Sequence, residues 1–516
     1  MVRPLLLLVL CVGVVSTHAQ RTVGVLLHDT LRAYRGYTLF APIPTTNTYL
    51  MDNDGQIVNV WKSRYPAGQG AMLLDDGTLV RTAAPPSQSM QGGGAGGMVE
   101  FYDWSGNVIW SYTHLTPTAR AHHDVEILPN GNILLLVWES HTREEAIALG
   151  RPASRLTENA LWSERVVEVR RTGPTTGEVV WSWSSWDHLI QDTDPTKPNY
   201  GVVADRPERI DINAGGTRTD WLHANSVRYN ATRDEVMISI HNLNEIWIIS
   251  RATGDIVYRY GNPRNYKRGA TQDQVLWGQH DARWIDGGRK VMIFNNGNGR
   301  PGGNASSVDI IELPLTPEGT YRRAPDSAFA PSRPQVAAPK ALSLGFYGQN
   351  ISGATLLPNG NILACVGPTG TFVEFDPDAE IVWRYVNPAA MNGITTQGQT
   401  PRNNMVFKIY RYGVDHPALA GRTLTSRGRL EDGPLSVDAS NEAASARWDV
   451  DPINRRLVLH LDVERSLILH AYDVLGRDLG TVVNATLPAG RHVIDLPSGT
   501  IVVGNRTRHS SVPGTR

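Results

Sequence analysis

The sequence predicts an all-β protein, consisting of a six-bladed β-propeller followed by a small C-terminal β-sandwich. Three observations favour this fold class: a strand phrase recurs along the chain, short hairpin phrases lie between its copies, and no segment has the period of an amphipathic helix of ordinary length. The chain has 516 residues. One hydrophobic core does not suffice at that length, so we expect a large domain and a smaller one.

The composition excludes a nucleic-acid binder. Apolar residues make up 41% of the chain and charged residues 19%, with 49 basic against 50 acidic side chains and a net charge of −1. A protein that neutralises phosphates needs a basic surplus, which is absent. The 49 Gly, 32 Pro, 14 Trp and 17 Tyr indicate many turns and bulky groups to bury, as expected of strands and turns.

Residues 1–19 are predicted to be a secretory signal peptide. Arg3 precedes an apolar run from Leu5 to Val15, and Ser16-Thr17-His18-Ala19 follows as a cleavage site. That run is too short to cross a bilayer, and no later run reaches the roughly 18 to 20 apolar residues of a membrane helix. We therefore expect a secreted or cell-surface protein with no transmembrane segment. Of the two cysteines, Cys11 leaves with the signal, so Cys365 cannot close an internal disulfide.

The recurring phrase is a turn residue, a polar residue, two β-branched residues and an aromatic. Successive copies are 51, 71, 77, 65 and 60 residues apart, longer than the roughly 40 to 50 residues of a minimal propeller blade but suited to blades with loops. The copies are GQIVNVW at Gly55, GNVIW at Gly106, GEVVW at Gly177, GDIVY at Gly254, EGTYRR around Gly319 and AEIVW at Ala379.

A second phrase predicts hairpins between those copies. Each instance is two strands joined by a turn, usually Asn-Gly or Asp-Gly, whose residues tolerate positive φ. The instances are MLLDDGTLV (72–80), ILPNGNILLL (127–136), WIDGGRKVMIF (284–294) and LLPNGNILAC (356–365).

Together the phrases predict six four-stranded blades over residues 20–430. A β-solenoid or a pair of sandwiches is the alternative, and the wide variation in spacing argues against a solenoid, whose rungs are regular. Residues 431–446 are polar and contain Gly, Pro and Ser, so they are predicted to be a linker. Residues 447–516 contain short alternating strands with Gly or Pro turns and are predicted to form the β-sandwich and a tail.

Candidate site residues come from positions that are equivalent between blades. The innermost strands of a propeller line a common channel, and counting back eight residues from each hairpin Gly gives one position per blade. These positions are Gln69, His123, His280 and Ser352. A fifth segment, DWLHANSVRYN, starts its strand with His223, and Asn225 lies two residues on, hence on the same face.

Further residues are candidates for the same channel mouth. His122 has the opposite strand parity to His123, and His241 and Asn242 end the strand that follows Asn225. A lone His on a strand is more often structural than catalytic, but three at matching positions favour a shared site. The Gly-rich segment NNGNGRPGG after Phe294 lacks the lysine and the helix of a P-loop, so we interpret it as blade-rim structure.

The chemistry of this set is that of an imidazole cluster without carboxylates. Three or four His could also bind zinc, which stays open as an alternative. The sequence contains no G-x-S-x-G elbow and no Cys placed for nucleophilic attack, so it indicates no other nucleophile. A neutral imidazole is itself nucleophilic, and further imidazole and amide groups suit a tetrahedral anion with several oxygens. The set is typical of a site that transfers an oxyanion group.

At these residues the sequence resembles the arylsulfate sulfotransferase family of bacterial six-bladed propellers. The most specific pieces are DWLHANS (220–226), WGQHDARWIDGG (277–288), ISGATLLPNGNIL (351–363) and EIVWRYVNP (380–388). Residues 403–424 resemble the segment with which many members close the ring. The C-terminal phrases YDVLGRDLG and LPAGRHVIDLPSG resemble the sorting domain of the type IX secretion system, whose machinery would then be a partner.

The resemblance implies transfer of a sulfuryl group from an aryl sulfate donor to a phenolic acceptor, without cofactor, metal or nucleotide donor. By motif, His280 corresponds to the nucleophile that becomes N-sulfated in a ping-pong reaction. His123, His223 and Asn225 correspond to sulfuryl-binding positions, and Ser352 falls near a family hydroxyl residue. Where family members carry an Arg after the H-x-N strand, this chain has His241, which is mostly neutral at pH 7.

Two other functions remain as alternatives. A non-catalytic exported propeller would use the same fold as a binding or surface module, with the His cluster structural. A quinone-dependent dehydrogenase fits less well, because those propellers usually have eight blades and a calcium-binding carboxylate.

Overall fold

The computed structural model describes residues 21–340, 346–433, 435, 446–451, 456–461, 465–472, 478–488, 490–498 and 502–505. The predicted signal peptide and most of the predicted linker lie outside these residues. The chain divides into two compact units, Met1–Leu435 and Ser436–Arg516.

The first unit is a six-bladed β-propeller, as the sequence predicts. Blade one contains β2 (Gly36–Pro42), β3 (Asn47–Asp52) and β4 (Ile57–Lys62), and blade two contains β5 (Ala67–Leu73), β6 (Leu79–Ala83), β7 (Met98–Tyr102) and β8 (Val108–Thr113). Blade three contains β9 (Ala119–Ile127), β10 (Ile133–Thr142), β11 (Ala160–Gly173) and β12 (Thr176–Ser184), and blade four contains β15 (Ala224–Asn230), β16 (Glu235–Ile240), β17 (Glu245–Ser250) and β18 (Ile256–Tyr260). Blade five contains β19 (His280–Ile285), β20 (Lys290–Asn295), β21 (Ser307–Glu312) and β22 (Gln335–Ala337), and blade six contains β23 (Gly353–Leu356), β24 (Ile362–Val366), β25 (Thr371–Phe375) and β26 (Ile381–Val386).

Both ends of this unit add a strand to a blade. The late strand β29 (Val406–Gly413) is the innermost strand of blade one, and β1 (Gly24–His28) pairs with β26 outside blade six. Two small pairs lie between blades, β13 (Leu189–Ile190) with β14 (Ile210–Asp211) and β27 (Ala389–Ala390) with β28 (Gly393–Ile394).

Helical structure in the described residues is short. The α-helix α1 (Arg143–Ala148) lies between β10 and β11 and begins with a capping box between Thr142 and Glu145. The 3₁₀ helices are Ala153–Arg155, Ser185–His188, Val203–Asp205, His241–Leu243, Pro263–Tyr266, Thr271–Asp273, Asp286–Gly288, Gly367–Thr369, Pro417–Leu419 and Leu430–Asp432. No helix in the described ranges has the length and apolar character needed to cross a membrane.

The hairpins of blades two, three and six share one loop. Each has five residues between its strands, and the Gly at the fourth position donates its N–H to the carbonyl of the first, at 2.8 to 2.9 Å. Only this Gly adopts positive φ; the preceding Asp or Asn instead accepts an N–H with its side chain. The glycines are Gly77 (φ 83°), Gly131 (φ 79°) and Gly360 (φ 87°). A single left-handed Gly therefore closes each hairpin.

Five copies of the aromatic phrase form outer regions of blades. They become β4, β8, β12, β18 and β26. The copy around Gly319 was expected to mark a blade in the same way, and that expectation is wrong. It forms only an isolated bridge between Leu315 and Tyr321, and the fourth strand of blade five is β22. Tyr321 instead donates its hydroxyl to Glu235 at 2.8 Å, on the neighbouring blade.

The pairing of β29 with β2 closes the ring. The two strands are antiparallel from Gly36 opposite Gly413 to Pro42 opposite Val406. Lys408 on β29 reaches across the axis and donates to Asp124 on β9 at 2.6 Å, and its ammonium lies 3.6 Å from Asp281 on β19. Arg228 on β15 bonds both carboxylates, at 2.7 and 2.9 Å. A buried ion cluster thus joins four blades beneath the channel mouth.

The second unit contains two three-stranded sheets, in agreement with the predicted sandwich. One sheet has the order β30 (Ala446–Asp451), β31 (Arg456–Leu461), β34 (Gly490–Asp495), and the other β33 (Asp478–Leu487), β32 (Arg465–Tyr472), β35 (Val502–Asn505). Leu457 and Leu459 from the first sheet share a buried apolar cluster with Leu469 and Val483 from the second. The signal peptide and the type IX sorting role remain predictions from the sequence.

Replacing the ring-closing lysine tests the ion cluster. We expect Lys408→Met to lower the free energy of unfolding by about 3 kcal/mol, because Asp124 and Asp281 lose the buried ammonium and keep only arginine partners. Lys290→Met, which removes a half-exposed lysine 3.3 Å from Asp286, is the control and should cost less than about 1 kcal/mol. Urea unfolding followed by tryptophan fluorescence measures both, and equal small effects would contradict the role of the cluster.

Candidate active site

Inner strands and rim loops surround a cavity of about 480 Å³ at one end of the channel. Four imidazoles line it, those of His123, His223, His241 and His280. Their ring centroids follow one another at 4.8 Å, 5.4 Å and 5.1 Å in that order. The remaining lining residues are Gln69, Gly92, Gly93, Gly94, Arg218, Asp220, Asn242, Asn298, Gln349, Asn350 and Ile351.

Irregular inner strands bring these side chains together. The register of β5, β9, β15 and β19 shifts near the channel mouth, as in a β-bulge. His123 and His223 have left-handed φ values of 50° and 53°. In β19 the left-handed residue is Asp281, one position after His280. The bulges differ in length, so counting from the hairpin Gly finds the mouth but not strict equivalence.

The geometry around His280 fixes its tautomer. Its Nδ1 lies 2.8 Å from Asn296 Oδ1 and 3.0 Å from the Gly278 carbonyl oxygen. The Asn296 amide nitrogen donates to two carbonyls, those of Gly348 and Ile351, so its oxygen faces the imidazole. Both neighbours of Nδ1 are acceptors, so Nδ1 carries the proton. Nε2 therefore keeps its lone pair, and it has no hydrogen-bond partner in the described part of the chain.

The protonation of His280 suits a nucleophile. Burial, together with the neighbouring His241, lowers the pKa of His280 well below 6.5. The ring is therefore neutral at pH 7. The segment that holds Asn296 was interpreted as blade-rim structure, and it also contributes to the site, because Asn296 bonds His280 and Asn298 lines the cavity.

His223 differs from the other imidazoles because it faces a carboxylate. Its Nδ1 lies 2.5 Å from Asp220 Oδ2. Burial opposes charge on this ring, but the hydrogen bond and the charge of Asp220 outweigh it and raise the pKa of His223 above 6.5. The expectation of a site without carboxylates is therefore wrong. Asp220 lies three residues before His223 in the phrase DWLHANS. That D-x-x-H spacing was the sequence signal that could have predicted the contact.

His241 is neutral. Its Nδ1 lies 2.8 Å from Asn242 Oδ1, and the Asn242 nitrogen donates to the Asp220 carbonyl, so the His241 proton lies on Nδ1. Burial and the neighbouring His223 lower the pKa of His241 to about 4. Its Nε2 is consequently an acceptor at pH 7, and this position supplies no cation.

His123 belongs to a chain of polar groups that leads away from the cavity. Its Nδ1 lies 2.9 Å from Nδ1 of His122, and His122 Nε2 lies 2.9 Å from Oε2 of Glu164. Glu164 Oε1 accepts the N–H of Ala224 at 2.7 Å. The left-handed φ at His123 interrupts strand alternation, so the two adjacent imidazoles contact each other.

Three candidates lie behind the cavity wall. His122 is buried and stacks on Trp138, with ring centroids 4.3 Å apart. Asn225 is buried and donates to the Gln279 carbonyl at 2.8 Å, beside His280. The Ser352 hydroxyl is also buried; it donates to the Asn350 carbonyl and accepts the N–H of Gly367. None of the three lines the cavity, and each contacts a segment that does.

Arg218 is a functional candidate for which the sequence offers no signal. It lies on an exposed loop of the cavity rim and has no ion-pair partner among the described residues. The loop itself is anchored through its backbone carbonyls. Those of Gly215, Gly216, Thr217, Thr219 and Asp220 accept from Arg155, Arg151 at 2.6 Å, Thr157 at 2.9 Å, Trp162 at 2.7 Å and Asn242 at 2.8 Å.

A glycine segment, Gly92 to Gly94, forms the wall beside His123 and His223. Gly94 adopts φ of 83°, and a Cβ there would overlap the His123 ring. Only glycine allows this backbone to approach the imidazole so closely.

Phe407 is buried beneath two of the imidazoles, behind the residues that line the cavity. Its ring centroid lies 6.1 Å from that of His123 and 6.0 Å from that of His280. The buried ion cluster of Lys408, Asp124 and Asp281 follows directly below. Side chains therefore fill the axis beneath the imidazoles. In the described ranges, no group of three or more His, Cys, Asp or Glu is arranged to hold a metal ion.

Comparison with known proteins identifies a family. A family model described as arylsulfotransferase (ASST) matches residues 35–314. No curated protein matches the chain.

Similar solved structures include a protein of unknown function from Bacteroides caccae, at 11% identity over 73% of this chain and 99% of that chain, with a TM-score of 0.38. The periplasmic gluconolactonase PpgL of Pseudomonas aeruginosa has 13% identity over 90% of this chain and 100% of that chain, with a TM-score of 0.34. The β-propeller domain of Cps50 (Swd1) from Myceliophteria thermophila has 10% identity over 77% and 97%, with a TM-score of 0.37. These scores are low, and nothing about chemistry follows from them.

Titration of the imidazoles tests the electrostatics of the cavity. We expect His223 to titrate above 6.5 and His241 at a pKa of about 4. Asp220→Asn should lower the pKa of His223 below 6.5, because burial then acts without the opposing carboxylate. NMR of labelled histidine measures both values. Asp286→Asn, in the turn at the far end of β19, is the control and should change neither; an unchanged His223 in Asp220→Asn would contradict the assignment.

Proposed function

Because the chain belongs to the arylsulfotransferase family, we propose that it transfers a sulfuryl group from an aryl sulfate to a phenol in the imidazole-lined cavity. The match to the family model over residues 35–314 supports the reaction class. The geometry of His280 carries the assignment of the site, since a neutral imidazole with Nδ1 held by two acceptors has its nucleophilic nitrogen free. The cavity also has room for one aromatic ring beside a sulfate group, at about 480 Å³.

In the first half-reaction, His280 Nε2 attacks the sulfur of the donor. An N–S bond forms, the S–O bond to the phenol breaks, and the phenolate leaves with that electron pair. By analogy with phosphoryl transfer, the transition state is loose, so positioning and charge stabilisation supply most of the rate. The product of this step is N-sulfated His280.

The sulfuryl oxygens need donors around His280. In its protonated form, which Asp220 favours by raising the pKa of the ring, His223 supplies one: its Nδ1–H bonds Asp220 and its Nε2–H is free. Arg218 supplies a permanent positive charge at the rim. This cation compensates for His241, which stands where family members carry an Arg and which is neutral. We therefore assign recognition of the anionic donor to Arg218 and His223.

In the second half-reaction, a phenol enters after the first has left. It loses its proton to a nearby imidazole and attacks sulfur, so that an O–S bond forms and the N–S bond breaks. The kinetics are expected to be ping-pong, since one nucleophile serves both halves.

Replacement of His280 tests the nucleophile. We expect His280→Asn to lose transfer from 4-nitrophenyl sulfate to a second phenol and to lose the covalent adduct. Intact-mass measurement of the wild-type protein mixed with donor alone should show one added sulfuryl group, mapped to His280. His28→Asn, which changes an imidazole on β1 outside the cavity, is the control and should remain active. If the wild-type protein binds the donor without release of nitrophenol, the alternative of an exported binding module holds instead.

Replacement of Arg218 tests donor recognition. We expect Arg218→Ala to raise KM for the aryl sulfate by about 10- to 100-fold, because a charge-assisted contact is lost, with a smaller change in kcat. The KM of the uncharged phenol should stay the same. Arg218→Lys should recover part of the loss, and the salt dependence of KM should weaken in Arg218→Ala. Arg289→Ala, an exposed arginine beside the β19–β20 turn, is the control; an unchanged KM in Arg218→Ala would contradict the assignment.

A further inference from the structure

Glu164 is a buried carboxyl group whose surroundings differ from those of comparable groups in other blades. Buried glutamates also lie on the third strands of blades two, four and six, and each pairs with a buried arginine. These pairs are Glu100 with Arg81, Glu245 with Arg259 and Glu374 with Arg411. Glu164, on the third strand of blade three, has no Arg or Lys partner in the described residues; its side chain contacts His122 and the N–H of Ala224.

The contacts from Glu164 to the cavity form an unbranched chain of three groups. Glu164 Oε2 and His122 Nε2 are 2.9 Å apart, and the Nδ1 atoms of His122 and His123 are also 2.9 Å apart. His122 is held in plane by stacking on Trp138, at an interplanar angle of 8°. His123 then lines the cavity and has no protein partner for its Nε2 within the described ranges.

This geometry couples the tautomers of the two imidazoles. Two nitrogens in hydrogen-bond contact share one proton, so one Nδ1 donates and the other accepts. If Glu164 is protonated, it donates to His122 Nε2, His122 Nδ1–H donates to His123, and His123 presents Nε2–H to the cavity. If Glu164 is ionised, every bond reverses, and His123 presents a lone pair.

We propose that Glu164, His122 and His123 form a proton relay in which Glu164 stores the proton that the two phenols exchange with the site. This inference rests on the proposed sulfuryl transfer. In the first half-reaction, His123 Nε2–H protonates the departing phenolate, His122 passes its Nδ1 proton to His123, and Glu164 gives its proton to His122. In the second, the acceptor phenol gives its proton to His123 Nε2, and the bonds reverse until Glu164 is protonated again. Each cycle therefore returns the relay to its starting state.

The electrostatic environment supports a neutral relay. Burial, followed by the nearby carboxylate of Asp220, raises the pKa of Glu164 well above its usual value. The hydrogen bond from the Ala224 N–H, the charge of His223 and the Trp138 side chain oppose that shift. Burial lowers the pKa of both His122 and His123 far below 6.5. At His122, Asp220 opposes this shift, and His223 and Arg120 add to it. At His123, the neighbouring imidazoles of His223, His280 and His241 add to it. Neither imidazole holds a second proton at pH 7, so the mobile proton resides on Glu164.

Glu164→Gln is the direct test. The glutamine carbonyl can accept the Ala224 N–H while its NH₂ donates to His122, so the chain is locked with His123 Nε2–H facing the cavity and no proton can move. Release of phenol from phenyl sulfate, a poor leaving group, should slow by about 100-fold or more, the size of a general-acid contribution. Release from 4-nitrophenyl sulfate, whose phenolate needs no proton, should stay within about threefold of wild type on the same grounds.

The dependence on leaving group distinguishes a relay from a structural role. Equal slowing with both donors, or no slowing with either, would overturn the proposal. Glu100→Gln is the matched control, because it also removes a buried third-strand carboxylate; it should lower stability without changing the ratio of the two rates. Inactivity of the wild-type protein with both donors would instead overturn the proposed function. The relay is then tested by measuring the tautomers of its imidazoles.

Tautomers can be measured without turnover and without any variant at Glu164. Ring-nitrogen NMR of ¹⁵N-histidine-labelled wild-type protein, with His123 assigned through the loss of its signal in His123→Gln, should show protonated Nε2 at low pH and protonated Nδ1 at high pH. The ring should stay neutral across that change. A His123 tautomer that is constant over the titration would overturn the relay. The Glu164→Gln protein, where it folds, should keep protonated Nε2 throughout.

Discussion

The closure of the ring by β29 and β2 is the constraint on which the site depends. Six blades direct the ends of their inner strands to one axis only if the first and last parts of the propeller are fixed to each other. Lys408 on the closing strand does this within the channel, through Asp124 and Asp281. Those carboxylates directly follow His123 and His280 in sequence, and Phe407 directly precedes Lys408. The bonds that close the ring therefore also fix the positions of the imidazoles.

Four imidazoles of the same intrinsic chemistry acquire different protonation states from their surroundings. Burial alone makes the ring neutral, as at His280 and His241. One carboxylate in contact reverses this at His223. At His123 the second-neighbour carboxyl of Glu164 acts only through His122, so it affects the tautomer more directly than the charge. Imidazoles with different pKa values and hydrogen-bond partners thus arise within a single cavity from differences in the groups that lie behind it.

Much of the fold follows from local sequence, because the hairpin loops and the aromatic outer strands are short-range features. The Asn-Gly and Asp-Gly loops close where the sequence predicts, and the position eight residues before the Gly falls near the channel mouth. Strand parity ranked His123 above His122, and of the two only His123 lines the cavity. Parity did not predict the contact between the two rings, which follows from the bulge with left-handed φ. Asp220 was within reach of the sequence, three residues before His223. Arg218 and Glu164 could not be predicted from the sequence. The position of Arg218 depends on a loop that Arg151 and Arg155 hold from the insertion between β10 and β11. The position of Glu164 depends on the pairing of β11 with its neighbouring strands.

Phe407 and the ion cluster are buried beneath the cavity lining, on the axis of the propeller. A molecule that has entered must leave through the same opening, past Arg218 and the glycine segment, and there is no rear exit along the axis through the described side chains. Two aromatic molecules therefore cannot pass through the cavity one behind the other. The first must dissociate before the second can bind. In the proposed reaction, the sulfuryl group would stay on His280 while the first phenol leaves and the second one enters by the same opening.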